Sequence, residues 1–317
     1  MKKIYFRADA SETIGYGHFI RTLALADMLK EQFDCVYFTT SPTNFQINEI
    51  NKVCNLFILN EENGDQVFLD NLHGDEIVFL DNYFFTSEYE RRIKEIGCKL
   101  VVLSTPNKHH YADIILNFVE TDHSKYSVET YSKIISGIEW SLLRQPFLSL
   151  QKSYRKRDNR IVVSFGGTDQ FCITEKFIQF LRGYDIAIVC TSKVSIERRD
   201  RFKKSGCKVF VDVDAHTIAD LFQRSAYAVL SSSSICLEAL ACGCKVLSGY
   251  YVDNQIQFYK ILLKSNCIVG LGNLLDVNIN TLRLCLETKG GVTNECKVLK
   301  DIVNQSQRYI ELFQGLC

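Results

Sequence analysis

Ile161-Val162-Val163-Ser164-Phe165-Gly166-Gly167-Thr168-Asp169, followed by residues 171–181, is the stretch whose reading decides the fold. The β-branched run predicts a strand, the glycine pair a tight turn, and the apolar spacing beyond it a helix. The same grammar continues downstream. Strands are expected over 186–189, 209–211, 228–230 and 245–247, and helices over 196–203, 218–223, 235–241, 254–263 and 296–313. Strands alternating with helices imply parallel βαβ units.

Upstream the pattern is the same. Ile4-Tyr5-Phe6 opens as a strand, residues 9–17 are polar, and 19–31 read as a helix in which Leu25, Met28 and Leu29 recur at helical spacing beside Ile20, Leu23 and Ala24. Further strands are expected over 36–38, 77–80, 100–103 and 114–116, with a helix over 87–96. Between the halves, Lys152, Arg155, Lys156, Arg157, Asp158 and Arg160 crowd together, which reads as an interdomain linker with a solvated surface. At about 150 residues per domain, 317 residues imply two domains, 1–150 and 151–317. The expected class is α/β: two doubly wound, Rossmann-like domains facing across a cleft.

Composition narrows the function. Lysine plus arginine totals 37 and aspartate plus glutamate 37, so the formal net charge is zero, a poor match to a phosphate backbone as main partner. A hydrophobic fraction of 46% with 23% charged residues is that of a folded chain rather than a disordered one. The 13 cysteines run from Cys35 to Cys317 without a Cys-x-x-Cys pair or a cysteine–histidine cluster, and read as reduced thiols in a cytoplasmic protein with no metal site. No secretory segment and no run of about 20 apolar residues is found, so membrane insertion is not expected.

In doubly wound sheets ligands bind beyond the carboxyl ends of the strands. Four segments fall there: residues 9–18, 81–83, 166–169 and 231–234. Gly166-Gly167-Thr168-Asp169 opens a helix, so its backbone can approach an anion closely, and a turn capped by Thr168 or Asp169 is the equally good structural reading. It fits neither the dinucleotide fingerprint nor the P-loop. Ser231-Ser232-Ser233-Ser234 offers a second helix-start cradle, with Glu238 one turn in, on the face of Ser234 and suited to accept both ribose hydroxyls. A capping box would need Ser or Thr at position 235, which is Ile235. Ile14-Gly15-Tyr16-Gly17-His18 places a histidine at the start of the first helix, where the dipole disfavours a second ring proton, as a general base requires. A histidine packed against its loop is the commoner use of that spacing.

Arg7-x-Asp9 with Ile14-Gly15-x-Gly17-His18-x-x-Arg21 resembles the start of the UDP-2,4-diacetamido-2,4,6-trideoxy-β-L-altropyranose hydrolases of pseudaminic acid biosynthesis. The likeness continues in order through Asp81-Asn82-Tyr83, Asp113-Ile114-Ile115-Leu116-Asn117, Gly137, Leu143-Arg144, Phe147, Phe165-Gly166-Gly167-Thr168-Asp169, the serine run with Glu238-Ala239-Leu240, and Asn254-Gln255. Ser104-Thr105 stands where that family shows an acidic pair, and residues 270–317 carry no motif of it. The glycine turn and serine run are also similar to those of the wider GT-B glycosyltransferases. The resemblance implies a GT-B fold, a first domain carrying the base, a second holding UDP, and His18 activating water. It places Gly17, Arg21, Tyr83, Arg144, Gly167, Thr168, Ser233, Ser234, Glu238, Asn254 and Gln255 at or near a UDP-sugar substrate, with no cofactor.

An inverting transferase on the same scaffold, needing an acceptor, is the alternative enzyme. A UDP-sugar 2-epimerase has no matching motif set, and a nucleotide-sugar-binding module without turnover is the non-enzymatic reading. Adjacent His109 and His110 make a poor metal pair and read as exposed or loop residues; Trp140 reads as core.

Overall fold

The computed structural model describes residues 1–10, 16–148, 158–287, 302 and 304–317. The charged run 151–157, residues 11–15 of the first polar segment, and most of 296–303, the first part of the helix expected over 296–313, lie outside the described residues. The chain divides into two compact units, Met1–Gln145 with Asn304–Cys317, and Pro146–Val303.

In the first unit the order is β1 (Lys3–Arg7), α1 (Gly17–Leu29), β2 (Asp34–Thr40), α2 (Asn44–Asn51), β3 (Asn55–Leu59), α3 (Gly64–Asp70), β4 (Ile77–Leu80), α4 (Ser87–Ile96), β5 (Lys99–Leu103), β6 (His109–His110), β7 (Ile114–Asn117), β8 (Ser127–Val128) and β9 (Lys133–Ser136). Seven strands form one parallel sheet in the order β3-β2-β1-β4-β5-β7-β9, and β6 pairs with β8 apart from it. Ile77-Val78-Phe79-Leu80 is buried throughout, as a strand covered on both faces must be. Thr43 and Gln46 close a capping box on α2, and Thr86 caps α4.

A short helix, α5 (Gln145–Leu148), opens the second unit. There follow β10 (Asp158–Ser164), α6 (Ile173–Phe180), β11 (Asp185–Cys190), α7 (Ile196–Lys204), β12 (Lys208–Val211), α8 (Ala215–Arg224), β13 (Ser225–Ser231), α9 (Ser234–Ala241), β14 (Lys245–Tyr250), α10 (Asp253–Lys264), β15 (Val269–Asn273) and α11 (Ile279–Glu287). Its six strands are parallel, in the order β12-β11-β10-β13-β14-β15. Ile161, Val163, Phe165, Phe177, Ile188 and Leu247 lie in its core. Gly249 on β14 has no room for a side chain: a Cβ there would meet the Gly272 carbonyl oxygen at 2.4 Å.

The last helix, α12 (Gln305–Gln314), corrects the expected boundary. It packs on the first unit, where Tyr309 and Phe313 are fully buried. The Phe313 ring lies 6.4 Å from Phe33 and that of Tyr309 5.4 Å from Trp140, while the Gln305 Oε1 accepts from the Leu143 amide at 2.9 Å. Trp140 thus packs on this helix, which also sets the Arg308 guanidinium 5.4 Å from the centroid of its ring. The sequence reading assumed contiguous domains, and nothing in a lone amphipathic helix names the sheet it covers.

Candidate functional site

Each sheet reverses its winding at one place, between β1 and β4 in the first unit and between β10 and β13 in the second. At such a switch point the two following loops run to opposite faces and leave a crevice beyond the strand ends. Gly17, His18, Arg21 and Tyr83 lie at the first of these places and Gly167, Thr168, Ser233, Ser234 and Glu238 at the second; Asn254 and Gln255 follow β14, and Arg144 lies at neither.

In the first unit β1 ends in Arg7 and leads to Asp9. The Asp9 carboxylate accepts from Arg7 at 2.5 Å, from the Thr40 amide at 2.8 Å and from the Thr39 hydroxyl at 3.1 Å. Asn82, just past β4, accepts from the Asp9 amide at 2.7 Å and donates to its carbonyl at 3.2 Å. Arg7-x-Asp9 is therefore a lock that fixes where the chain leaves β1. Asp81, beside Asn82, is fully buried and is the centre of the cluster. His18, the second residue of α1, has Nδ1 2.7 Å from Asp81 Oδ1. Arg21, one turn on, donates Nε to Oδ2 at 2.6 Å and Nη2 to Oδ1 at 2.5 Å, and Thr22 donates to Oδ2 at 3.1 Å. Tyr83 stands edge-on to the His18 ring, centroids 4.6 Å apart, and is 57% exposed. Gly17 is exposed at the helix start, with open space where a Cβ would stand.

Burial works against a charge on Asp81, but Arg21 and His18 beside it outweigh burial and hold the carboxyl down at about 2. Likewise burial opposes the charge of Arg21, and Asp81 with Tyr83 nevertheless raises its guanidinium above the usual range. Asp81 is ionised at any working pH. Its folded value lies below the ordinary 3.8, so its stabilisation is complete above that value and is lost as pH falls through about 2. The expected contribution is about 2 kcal/mol. Urea midpoints at about pH 6 and about pH 2.5, in the parent and in Asp81→Asn, check this: the acid-sensitive increment must be absent from the variant.

In the second unit, register pairs Ser164 with Leu230 and Ser231 with Gly249, so the ends of β10, β13 and β14 leave the sheet side by side. Gly166 follows with φ +87°, exposed, and Gly167 and Thr168 are half-buried. Asp169 settles one of the two readings of its own side chain. It is buried, with Oδ1 accepting from the Ile173 amide at 2.9 Å, Oδ2 from the Thr174 amide at 3.2 Å, and Oδ2 from Arg198 at 2.8 Å. The Ile173 and Thr174 amides are therefore not available to an anion on this turn. The start of α9 differs: Ser233 is its N-cap in extended conformation, and its side chain makes no cap hydrogen bond. Ser233 and Ser234 are half-buried, whereas Ser232 is pinned from below, its hydroxyl 2.8 Å from that of Ser248 and its amide donating to the Gly249 carbonyl at 2.8 Å.

Glu238 is buried one turn into α9, and the helix carries it four residues from Ser234, as expected. Asn254 is exposed at the start of α10. Gln255 beside it is half-buried, its Oε1 accepting from the Tyr251 amide at 3.1 Å; Tyr251 in turn donates its hydroxyl to the Phe165 carbonyl at 2.8 Å. That chain of contacts ties α10 to the glycine turn. Arg144 is half-buried just before α5, next to Leu143, which α12 holds.

Sequence reasoning passed over Tyr251, Ser248 and Arg198, which carry no motif. Their partners are distant in sequence, so only the fold brings them in. It also misjudged His110, which is fully buried, with Nδ1 3.0 Å from the buried Glu90 and Nε2 3.1 Å from the Thr105 carbonyl. The alternation of faces holds, since its neighbour His109 is half-exposed and bonds Ser127 and Glu129. A buried carboxylate on α4, invisible locally, is what makes the interior position tenable. Cys35, Cys98, Cys190, Cys207 and Cys236 are free thiols and buried, and Cys242 and Cys244 are buried with Sγ donating to the Ala219 and Phe222 carbonyls. Cys267 is disulfide-bonded, which corrects the expectation of reduced thiols throughout. Among the described residues no group of three His, Cys, Asp or Glu side chains is placed to hold a metal, and no helix is long and apolar enough to cross a membrane.

No family model matches the chain. It is 27% identical over 264 residues to UDP-2,4-diacetamido-2,4,6-trideoxy-beta-L-altropyranose hydrolase of Campylobacter jejuni, covering 80% of this chain and 93% of that one. It is also 27% identical over 295 residues to the uncharacterized protein MJ1062 of Methanocaldococcus jannaschii, covering 83% of this chain and 58% of that protein, so it spans little more than half of that relative. Among solved structures it is similar to Acinetobacter baumannii MurG (TM-score 0.61, 10% identity, 99% of this chain and 100% of that one) and to CalG4, the calicheamicin glycosyltransferase (0.65, 9%, 99% and 98%). Anabaena Alr3699/HepE, solved with UDP-glucose, gives a TM-score of 0.62 at 11% identity over 99% and 100% of the two chains. With two parallel sheets of seven and six strands and these neighbours along its whole length, the chain has the GT-B fold.

Proposed function

We propose that this chain is a UDP-sugar hydrolase that removes UDP from a UDP-linked 2,4-diacetamido-2,4,6-trideoxy hexose, with His18 activating the water. The observation that carries the reading is the contact of His18 Nδ1 with a buried, ionised Asp81 at the switch point of the first sheet. A carboxylate only accepts, so Nδ1 carries the proton and the lone pair is left on Nε2. Among the described residues nothing hydrogen-bonds Nε2. This is the orienter–base relation that general-base catalysis uses.

Water loses a proton to Nε2 as its oxygen bonds the anomeric carbon; the bond from that carbon to the phosphate oxygen breaks, and UDP leaves with the electron pair. Attack from the side opposite UDP inverts the anomeric centre. The leaving group needs charge stabilisation more than protonation. The backbone at Gly167 and Thr168, with Ser233 and Ser234 at the uncapped start of α9, is suited to hold the diphosphate, and Glu238 the ribose hydroxyls. Tyr83 beside the base, Gly17, Arg144, Asn254 and Gln255 are assigned to the sugar and phosphate surroundings. The 27% identity to the Campylobacter hydrolase across most of both chains supports the choice of sugar.

Glycosyltransferases among the structural neighbours make acceptor-dependent transfer the reading to exclude. Incubation with the diacetamido sugar nucleotide in oxygen-18 water, with no acceptor present, separates the two. The expected products are UDP without label and free sugar carrying one labelled oxygen. Label in UDP would mean attack at phosphorus, release only with an added acceptor would mean a transferase, and UDP binding without turnover would mean a binding module.

A further inference from the structure

We propose that Arg21 is a positioning residue for His18: its guanidinium fork neutralises and aims Asp81, so that the ring keeps one proton, on Nδ1, and stays able to take another on Nε2. This deepens the reading of His18 as the base and rests on it, but the geometry stands independently.

A fully buried carboxylate touching an imidazole normally draws a second proton onto the ring, because an ion pair is the cheapest way to keep a charge out of water. An imidazolium is useless as a base. Here Asp81 already has its counter-charge, since Arg21 grips both oxygens, at 2.6 and 2.5 Å, and Thr22 adds a third donor at 3.1 Å. The same Nη2 lies 2.9 Å from His18 Nδ1. A nitrogen with one in-plane site cannot both donate to Asp81 and accept from Arg21. Were the lone pair on Nδ1, it would face the Asp81 oxygen at 2.7 Å, acceptor against acceptor, whereas Arg21 has that same oxygen to donate to. The proton therefore sits on Nδ1, and the fixed cation next to the ring disfavours a second one. Asp81 from the end of β4, Arg21 from α1 and Tyr83 from the loop after β4 are the charged and titratable groups in contact with the ring among the described residues. The guanidinium is also placed against the Phe118 ring, 5.8 Å from its centroid, which shields it from water on that side. With Nε and Nη2 both engaged by Asp81, Arg21 acts on the reaction through His18 rather than by holding substrate.

The first test needs no variant and no substrate. Nitrogen-15 spectra of the His18 ring in the full chain at neutral pH are expected to show a single proton, on Nδ1; a proton on Nε2, or on both nitrogens, overturns the proposal. In Arg21→Gln the spectra at neutral pH are expected to show a second ring proton, on Nε2, and in Arg21→Lys to match the parent. The acidic limb of kcat/KM should move with it, kcat falling roughly 10- to 100-fold and KM staying within about threefold. A raised KM with an unmoved limb would make Arg21 a substrate contact. Absence of UDP release from the parent enzyme would remove the proposed reaction, while the ring spectra still decide the role of Arg21.

Discussion

His18→Leu is expected to cut acceptor-free UDP release by about 10³-fold or more while leaving UDP affinity within about threefold of the parent. Leucine fills the buried space left by the ring, and Asp81 keeps Arg21 and Thr22 as partners, so no buried charge is stranded. The groups assigned to the nucleotide sit on another unit of the chain. Asp81→Asn should cost about as much by a different route: the amide NH₂ turned toward Nδ1 would force the proton to Nε2, and Arg21 would lose its counter-charge in a buried place. A variant pair that loses turnover together, with a combined loss far short of the product of the two, is the signature of residues acting as a unit. Undiminished release from His18→Leu at saturating substrate would take His18 out of the mechanism, whatever Asp81 does.

That cluster also shows what was legible beforehand. Gly17-His18 and Asp81-Asn82-Tyr83 stood out because each directly follows an apolar strand or opens a helix, and parallel winding brings such positions to one end of a sheet. The strands over 77–80, 100–103, 186–189 and 228–230 were equally plain, being continuous apolar runs. β3 and β15 were not seen. Asn55-Leu56-Phe57-Ile58-Leu59 is a largely exposed edge strand, and Val269-Gly270-Leu271-Gly272-Asn273 is interrupted by two glycines, one where a Cβ would meet the Tyr259 hydroxyl at 2.4 Å and one at φ +69°. Nor did sequence reveal which partner each polar group takes. Arg21 was placed on the substrate by resemblance, and its contact with Asp81 spans 60 residues, a distance no local pattern reports.

Asp169 is the position where the two meanings of one motif part most sharply. Asp169→Ala is expected to destabilise the second unit by about 2–3 kcal/mol, a fall in its melting temperature of roughly 4–12 °C. Three losses add up. The amides of Ile173 and Thr174 lose their acceptor at the start of α6, and Arg198 loses one of its two carboxylates, keeping Glu175 at 2.7 Å. The backbone here has φ +41°, a conformation that aspartate tolerates better than alanine. One effect runs the other way: burial pushes the Asp169 carboxyl above its usual range, against the pull of Thr174, Ile173 and Arg198, so removing it also relieves a desolvation cost. That offset keeps the expected loss below the roughly 3–5 kcal/mol usual for a broken buried pair. Asp169→Asn, which keeps an acceptor and tolerates the same backbone, should lose only about 1 kcal/mol. If instead the carboxylate served a ligand, both variants would melt like the parent and differ from it only in UDP affinity, and calorimetry with and without UDP reads the two outcomes apart.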